Sequence, residues 1–384
     1  MTDDKGDVAA VVKGGNQFAL ALYGQLARRE GNLFLSPFSI STALAMTYGG
    51  ASGQTAEEMA AALRLPFPGP RLHPAFALLL KQAKGEEPQD YQLSIANGLW
   101  TQRGYAFKDE YKGMVKANYG AELRELDFAT AGEKSRAIIN QWVEMQTQGK
   151  IRDLIPPRAI TELTRLILAN AIYFRGRWID PFEEEATKDA AFKVTPQQEV
   201  SVPTMYQQDR FQYLETNSVQ ALRLPYKGGD LSMIVFLPRQ VDGLAELETS
   251  LTAEQLEGWV QKMDWREVKV YLPKFRVEST FTLNDVLPKM GMRQAFDPAS
   301  ADFSGMTGKK DLFISLVIHK AFVDVDERGT EAAAATAIEG PEAAMPGEEE
   351  PPAIFRADHP FLFLIRDQRS GSILFLGRVT NPQP

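Results

Sequence analysis

Between His319 and Pro352 the chain reads HKAFVDVDERGTEAAAATAIEGPEAAMPGEEEPP. The start of this stretch belongs to an apolar run, Phe313 to Val325, that reads as a strand. At Gly329 the character changes to small residues, and from Gly340 onward to glycine, proline and glutamate. Pro341, Pro346, Pro351 and Pro352, with Gly340 and Gly347, forbid a regular helix or central strand, and Glu348, Glu349 and Glu350 need water. Because Phe361 to Asp367 again reads as a strand, the segment between is a long exposed loop. Loops of more than about 15 residues inside a compact domain are uncommon and are usually functional or disordered. Within this one, Thr330, Ala332, Ala334 and Thr336 alternate with Glu331, Ala333, Ala335 and Ala337. Extended, the segment has one face of small, uncharged side chains that a sheet interior would accept. Alanine is a weak strand former, so the segment reads as a two-state element: a loop outside, a strand once a gap opens beside it.

Outward from this loop, the C-terminal half is strand-rich, with patterns at Phe211 to Leu214, Val219 to Pro225, Leu231 to Leu237, Val268 to Pro273 and Ile373 to Val379. LTRLILANAIYFRGRW, from Leu163 to Trp178, is almost wholly apolar, as a strand buried on both faces would be. YQLSIANGLW, from Tyr91 to Trp100, alternates like a strand. Helices dominate the first quarter: Phe18, Ala19, Leu22 and Leu26 share a helical face, and SISTALAMTYGGA (Ser39 to Ala51) follows the start signal Ser36-Pro37. Further helices read at TAEEMAAALRL from Thr55, at FALLLKQAKG after Pro70, near Asp109 to Ala117, and at Ala137 to Gln146. No repeat and no Gly/Ser/Pro linker divides the middle of the chain, which favours one mixed α+β domain.

The 384 residues carry a net charge of −8, with 44% hydrophobic and 24% charged residues, an ordinary globular balance. With no cysteine and only His73, His319 and His359, thiol nucleophiles, thiolate metal sites and the two-histidine zinc helix are excluded, and no metal or cofactor is expected. No apolar run of about 18 residues occurs, and MTDDKGDVAAVVKGGN has no apolar stretch of export-signal length. The compartment, cytoplasmic or extracellular, stays open. SGMTGKK (Ser304 to Lys310) misses phosphate-loop spacing and reads as a turn, and GGASGQ (Gly49 to Gln54) misses the nucleophile elbow.

The chain resembles the serpins, the serine protease inhibitor superfamily, from about Asn16 to its C-terminus. The resemblance is carried by NLFLSPFSISTALAM (Asn32 to Met46), INQWVEMQTQGKIRDLI (Ile139 to Ile155), NAIYFRGRWIDPF (Asn170 to Phe182), HKAFVDVDERGTEAAAAT (His319 to Thr336), FRADHPFLFLIRD (Phe355 to Asp367) and FLGRVTNP (Phe375 to Pro382), in the family's order. It implies a single-domain α+β serpin fold over 1–384, with three β-sheets, eight to nine helices and an exposed reactive-centre loop, the hinge and loop spanning 329–353. Ser36, Ser39, Asn170 and His319 match the polar shutter beneath the point where the large sheet opens. Trp178, Lys274 and Glu327 match the breach at its top, where a Lys274–Glu327 ion pair would be worth about 0–1 kcal/mol if exposed and more if partly buried. The hinge would comprise Glu327, Gly329, Thr330, Glu331, Ala332, Ala333, Ala334, Ala335 and Thr336.

The small, uncharged hinge resembles that of inhibitory members, which implies suicide-substrate trapping of a serine protease and no catalysis by the chain itself. An inserted stretch of about ten residues gains about 0.5–1.5 kcal/mol per hydrogen bond. Fixing each of those residues costs about 1–2 kcal/mol. The two nearly cancel, so packing and relief of an underfilled sheet must supply the drive, and a bulky hinge should abolish it. Counting from Glu327 places the scissile bond between Ala343 and Ala344; counting back from FRADHPF points near Glu349 or Glu350, a loop longer than usual by about six residues. The hinge count is preferred, because insertion length is limited by the sheet, and cleavage after Met345 is disfavoured by Pro346. Alanine at the primary position suits an elastase-like or subtilisin-like protease with a shallow apolar pocket. The alternative, a non-inhibitory binding or storage serpin, is motivated by the acidic stretch after Ala344. The implied partner is a target protease held as a covalent acyl complex by a monomer. Nucleic acid, membrane and glycosaminoglycan are disfavoured, since the helix ending at Lys84 offers only Lys81 and Lys84.

Overall fold

The computed structural model describes residues 4–85, 91–330 and 351–383. Helix α1 (Asp4–Leu26) buries the predicted stripe of Phe18, Ala19, Leu22 and Leu26. In α2 (Pro37–Tyr48), Ser36 is the N-cap, accepting from the Ser39 N–H with Pro37 in the first turn, and almost every residue is buried. Then come α3 (Gly53–Ala62), α4 (Gly69–Lys84), α5 (Asp109–Asn118) and α6 (Phe128–Gln146). The last begins well before the predicted Ala137, because Asp127 caps it by accepting from Thr130. Two helices not anticipated from the sequence, α7 (Leu244–Ser250) and α8 (Ala253–Gln261), and two single turns, α9 (Val286–Lys289) and α10 (Ser304–Thr307), complete the helices among the described residues. The turn α10 is the phosphate-loop decoy, closed by Gly308 at φ 88°.

The strands are β1 (Leu33–Leu35), β2 (Tyr91–Gln102), β3 (Glu122–Leu126), β4 (Leu166–Arg177), β5 (Lys188–Thr195), β6 (Gln198–Glu215), β7 (Val219–Pro225), β8 (Leu231–Pro238), β9 (Asp264–Pro273), β10 (Phe275–Thr282), β11 (Ile314–Asp326), β12 (Gly329–Thr330), β13 (Ala353–Arg356), β14 (Phe361–Asp367) and β15 (Ile373–Val379). One sheet has the order β10-β11-β12-β4-β2-β3, with β11 also pairing β4 directly. The other has the order β1-β15-β14-β8-β7-β6-β9-β13, with β5 on β6. The expected three sheets are thus two hydrogen-bonded networks among the described residues, because the 18-residue β6 belongs to both smaller ones. Residues 204–213 of β6 pair β9, and its end, 212–215, pairs β7.

Strand β4 is buried on both faces, as its composition predicts. Leu166, Leu168, Ile172 and Phe174 join the main core, whereas Ile167, Ala169 and Ala171 meet a second cluster. That cluster lies under α6 and the segment after it, with Ile151, Leu154, Ile155 and Ile160 packed on the sheet. The main core runs through to β1, where Phe34 stacks on Phe363 and Phe375 with ring centroids at 5.7 and 5.1 Å. Replacing Phe34 with alanine should lower unfolding free energy by about 3–5 kcal/mol, read as a drop in the urea midpoint at unchanged slope; a drop below about 1 kcal/mol would show that β1 is not held by this stack.

Candidate functional site

The candidate site is the seam where β4 and β11 run parallel, from Leu166 opposite Ile314 to Tyr173 opposite Phe322. Above that seam the chain reverses in a tight hairpin and lays β12 between the two strands. Thr330 lies opposite Val325 on one side and Gly176 on the other, and Gly329 opposite Asp326 and Arg177, antiparallel to both. Asp326 makes the turn, its carboxylate accepting from the backbone N–H groups of Arg328 at 2.9 Å and Gly329 at 3.2 Å. Burial outweighs these bonds and raises the Asp326 carboxyl above the usual range. Gly329 has φ 147°, and a Cβ there would stand 2.1 Å from the Gly176 carbonyl oxygen, so both backbone shape and space require glycine.

At the hairpin apex Glu327 is buried and bound twice, to Lys274 Nζ at 2.7 Å and by the Thr187 hydroxyl at 2.8 Å. Burial by itself would raise this carboxyl; hydrogen bonds from Lys274, its own backbone N–H and Thr187 together outweigh that and hold it below the usual range. Trp178 donates its indole N–H to the Asp326 carbonyl at 3.1 Å and stacks on Tyr226 at 4.6 Å. The Tyr226 hydroxyl in turn meets Thr330 Oγ1 at 2.7 Å, and Thr330 is fully buried. The expected trio Trp178, Lys274 and Glu327 is therefore brought together, and Gly329 and Thr330 join it. Glu331, Ala332, Ala333, Ala334, Ala335 and Thr336, and the Ala343–Ala344 bond, lie outside the described residues.

Lower in the seam, Ser36, Ser39, Asn170 and His319 converge as predicted. The Ser36 N–H donates to His319 Nε2 at 3.1 Å, which fixes that nitrogen as the acceptor and puts the ring proton on Nδ1, facing the Asn170 side-chain oxygen. Asn170 Nδ2 donates to Ser39 Oγ at 2.6 Å and to Asn97 Oδ1, and Ser36 Oγ donates to the Leu374 carbonyl at 2.7 Å. Asn97, Asn170 and His319 stand in register on β2, β4 and β11, one polar row across three strands. Asn97 was not anticipated, although it sits in SIANGLW much as Asn170 sits in ILANAIY. Thr187 and Tyr226 were missed too, and nothing local in the sequence marks them. His319 is wholly buried, and desolvation pushes its pKa down to about 3, so the row is uncharged.

A family model described as serpin (serine protease inhibitor) matches residues 13–382. The chain is a serpin. It is 44% identical over 377 residues to the leukocyte elastase inhibitor of Bos taurus, covering 95% of this chain and 98% of that one. To an uncharacterized serpin-like protein of Thermococcus kodakarensis it is 43% identical over 379 residues, covering 99% of this chain and 87% of the relative. Among solved structures, Serpin48 of the insect Tenebrio molitor, described as a highly specific serpin, superposes with a TM-score of 0.88 at 34% identity over 100% of both chains. Serpins of this kind inhibit proteases rather than catalyse, so this serpin is not an enzyme.

Two expectations follow for the serpin's stability. His319 titrates at about 3 and His73, also lowered by burial, at about 4, whereas histidine in an unfolded chain titrates near 6.5. The unfolded state therefore takes up these protons first as pH falls. The stabilisation is complete above about pH 6.5 and falls toward each folded value by about 1.4 kcal/mol per pH unit per histidine. Between about pH 6.5 and 5, His319→Gln should remove about half of the slope of unfolding free energy against pH, and an unchanged slope would refute the neutral row. Lys274→Ala leaves Glu327 buried without its cation and should cost about 1–3 kcal/mol in urea unfolding; no measurable cost would mean that water replaces the ammonium.

Proposed function

We propose that this serpin traps serine proteases of elastase-like or subtilisin-like specificity by suicide-substrate cleavage and loop insertion, acting as a monomer. The protease serine would attack the Ala343 carbonyl, the Ala344 amine would leave, and the acylated segment would continue the path of β12 down the seam. The observation that carries this reading is the seat of Gly329 and Thr330, already hydrogen-bonded to both β11 and β4 and pointing into the junction. A strand extending β12 would replace one parallel ladder with two antiparallel ones, and parallel pairing is the weaker of the two per residue. The residues next in sequence, EAAAAT, are small enough to enter without displacing the core. The relatives named leukocyte elastase inhibitor support a protease with a shallow apolar pocket, which suits alanine at the primary position.

Incubation with pancreatic elastase and, separately, with subtilisin tests the reading by denaturing electrophoresis and mass analysis of the released peptide. A detergent-stable complex and a peptide beginning at Ala344 are expected. Cleavage by both proteases without a complex, in a chain whose thermal stability does not rise, would favour a binding or storage serpin instead. Thr330→Arg, which forces a charged side chain against Tyr226, should turn the inhibitor into a substrate. Thr330→Ser should still trap. Unimpaired trapping by the arginine variant would sink the insertion account.

A further inference from the structure

The outer face of β6, β9 and β13 carries a set of side chains that the fold itself does not use. On β9, Val268, Val270 and Leu272 point into the core, as does Phe355 on β13. The alternate residues point outward in register. Tyr206 lies opposite Tyr271, and Tyr271 opposite Arg356; Gln208 lies opposite Lys269, and Lys269 opposite Ile354. The rings of Tyr206 and Tyr271 are 4.9 Å apart, and the Arg356 guanidinium lies 3.6 Å from the Tyr271 centroid, a braced and ordered stack. Beside it two large apolar side chains are left in water: Ile354 is 56% exposed and Trp265 57%. Single exposed hydrophobics need no explanation, but tryptophan, tyrosine, arginine and isoleucine on one face of three strands have the composition of an interface centre. The charge is local as well. Lys269 and Arg356 flank Ile354, giving this patch a positive sign on a chain of net charge −8.

The chain's own course says what can reach the face. The bait bond and β13 are close in sequence, since Ala343 is followed ten residues later by Ala353, the first residue of β13. Ten residues span at most about 35 Å, about the diameter of a small domain. Any protease seated on that bond is tethered within its own width of Ile354, at an effective concentration in the millimolar range. Resting on the trapping function proposed above, we propose that the outer face of β6, β9 and β13 is a second docking surface for the target protease. Ile354 and Trp265 are its apolar contacts, and Lys269 and Arg356 recognise an acidic patch beside the protease's cleft. The face selects among proteases that accept alanine in the primary pocket, which the bait alone cannot do.

The test uses the full chain and two variants, Lys269→Glu/Arg356→Glu and Trp265→Ser/Ile354→Ser, each first shown to melt as the parent does. The probes are pancreatic elastase and subtilisin, as active enzymes and with the catalytic serine replaced by alanine. With the inactive proteases, each variant should bind at least about tenfold more weakly than the parent for one protease or both. The charge-reversed pair should also lose the salt dependence that the parent shows. Binding within about twofold of the parent for both proteases would overturn the proposal, as would a parent that binds neither. If the active enzymes cleave without forming a stable complex, trapping fails while the inactive-protease comparison still reads the face. If complexes form but the variants match the parent, the docking surface alone fails. Self-association that both variants abolish, with protease binding untouched, would assign the face to a second copy of the chain and likewise overturn it.

Discussion

Eight residue pairs hold β4 against β11, and the parallel ladder they make is the constraint on which the rest of the large sheet depends. Parallel strands need long crossovers, and here the connection is most of the molecule: β4 and β11 are separated by everything from β5 to α10. The ladder is buried on both faces, by the main core on one side and by the cluster beneath α6 on the other. It is also where the sheet's polar groups lie. Every donor and acceptor of the Asn97–Asn170–His319 row that loses its partner when the strands part must find another or stand unpaired in a dry interior.

That row explains why a buried histidine is compatible with a closed sheet. A charged imidazole would need a counter-charge, and none faces it; Ser36 offers a backbone N–H and Asn170 an oxygen, a pair that fits one tautomer of the neutral ring. Phe281 lies flat beside the ring at 6.4 Å and keeps water out on the β10 side. The hairpin at the top follows the opposite logic, with Glu327 kept ionised by Lys274 at the edge of solvent. One end of the seam is thus closed by neutral hydrogen bonds and the other by an ion pair.

Much of this was legible in the sequence, for reasons that differ residue by residue. The burial of β4 on both faces follows from its unbroken apolar run, and the ends of β7, β14 and β15 follow from alternation and turn residues. Ser36, Ser39, Asn170, His319, Trp178, Lys274 and Glu327 were found through family motifs, because no periodicity brings together side chains from so many elements. Asn97 escaped because an asparagine in an apolar strand becomes informative only when its neighbour across the ladder is known. Tyr226 and Thr187 owe their roles to a bridge and a loop that no local pattern encodes. The merging of two small sheets could not be anticipated, since only the part of β6 around Phe211 to Leu214 reads as strand and its first half is largely polar and exposed.

The two ends of the loop are moored by mechanically different joints. On the N-terminal side, β12 is a two-residue tongue in a hairpin, and a pull on it loads the bonds of one residue at a time, as in opening a zip. On the C-terminal side, β13 lies parallel to β9 over four residues, so tension along the chain loads them together in shear. Strand β9 passes that load to β6, whose continuous backbone carries it into the core strand β7. Force on the loop is therefore resolved asymmetrically: the hinge end is built to yield first and the far end to hold.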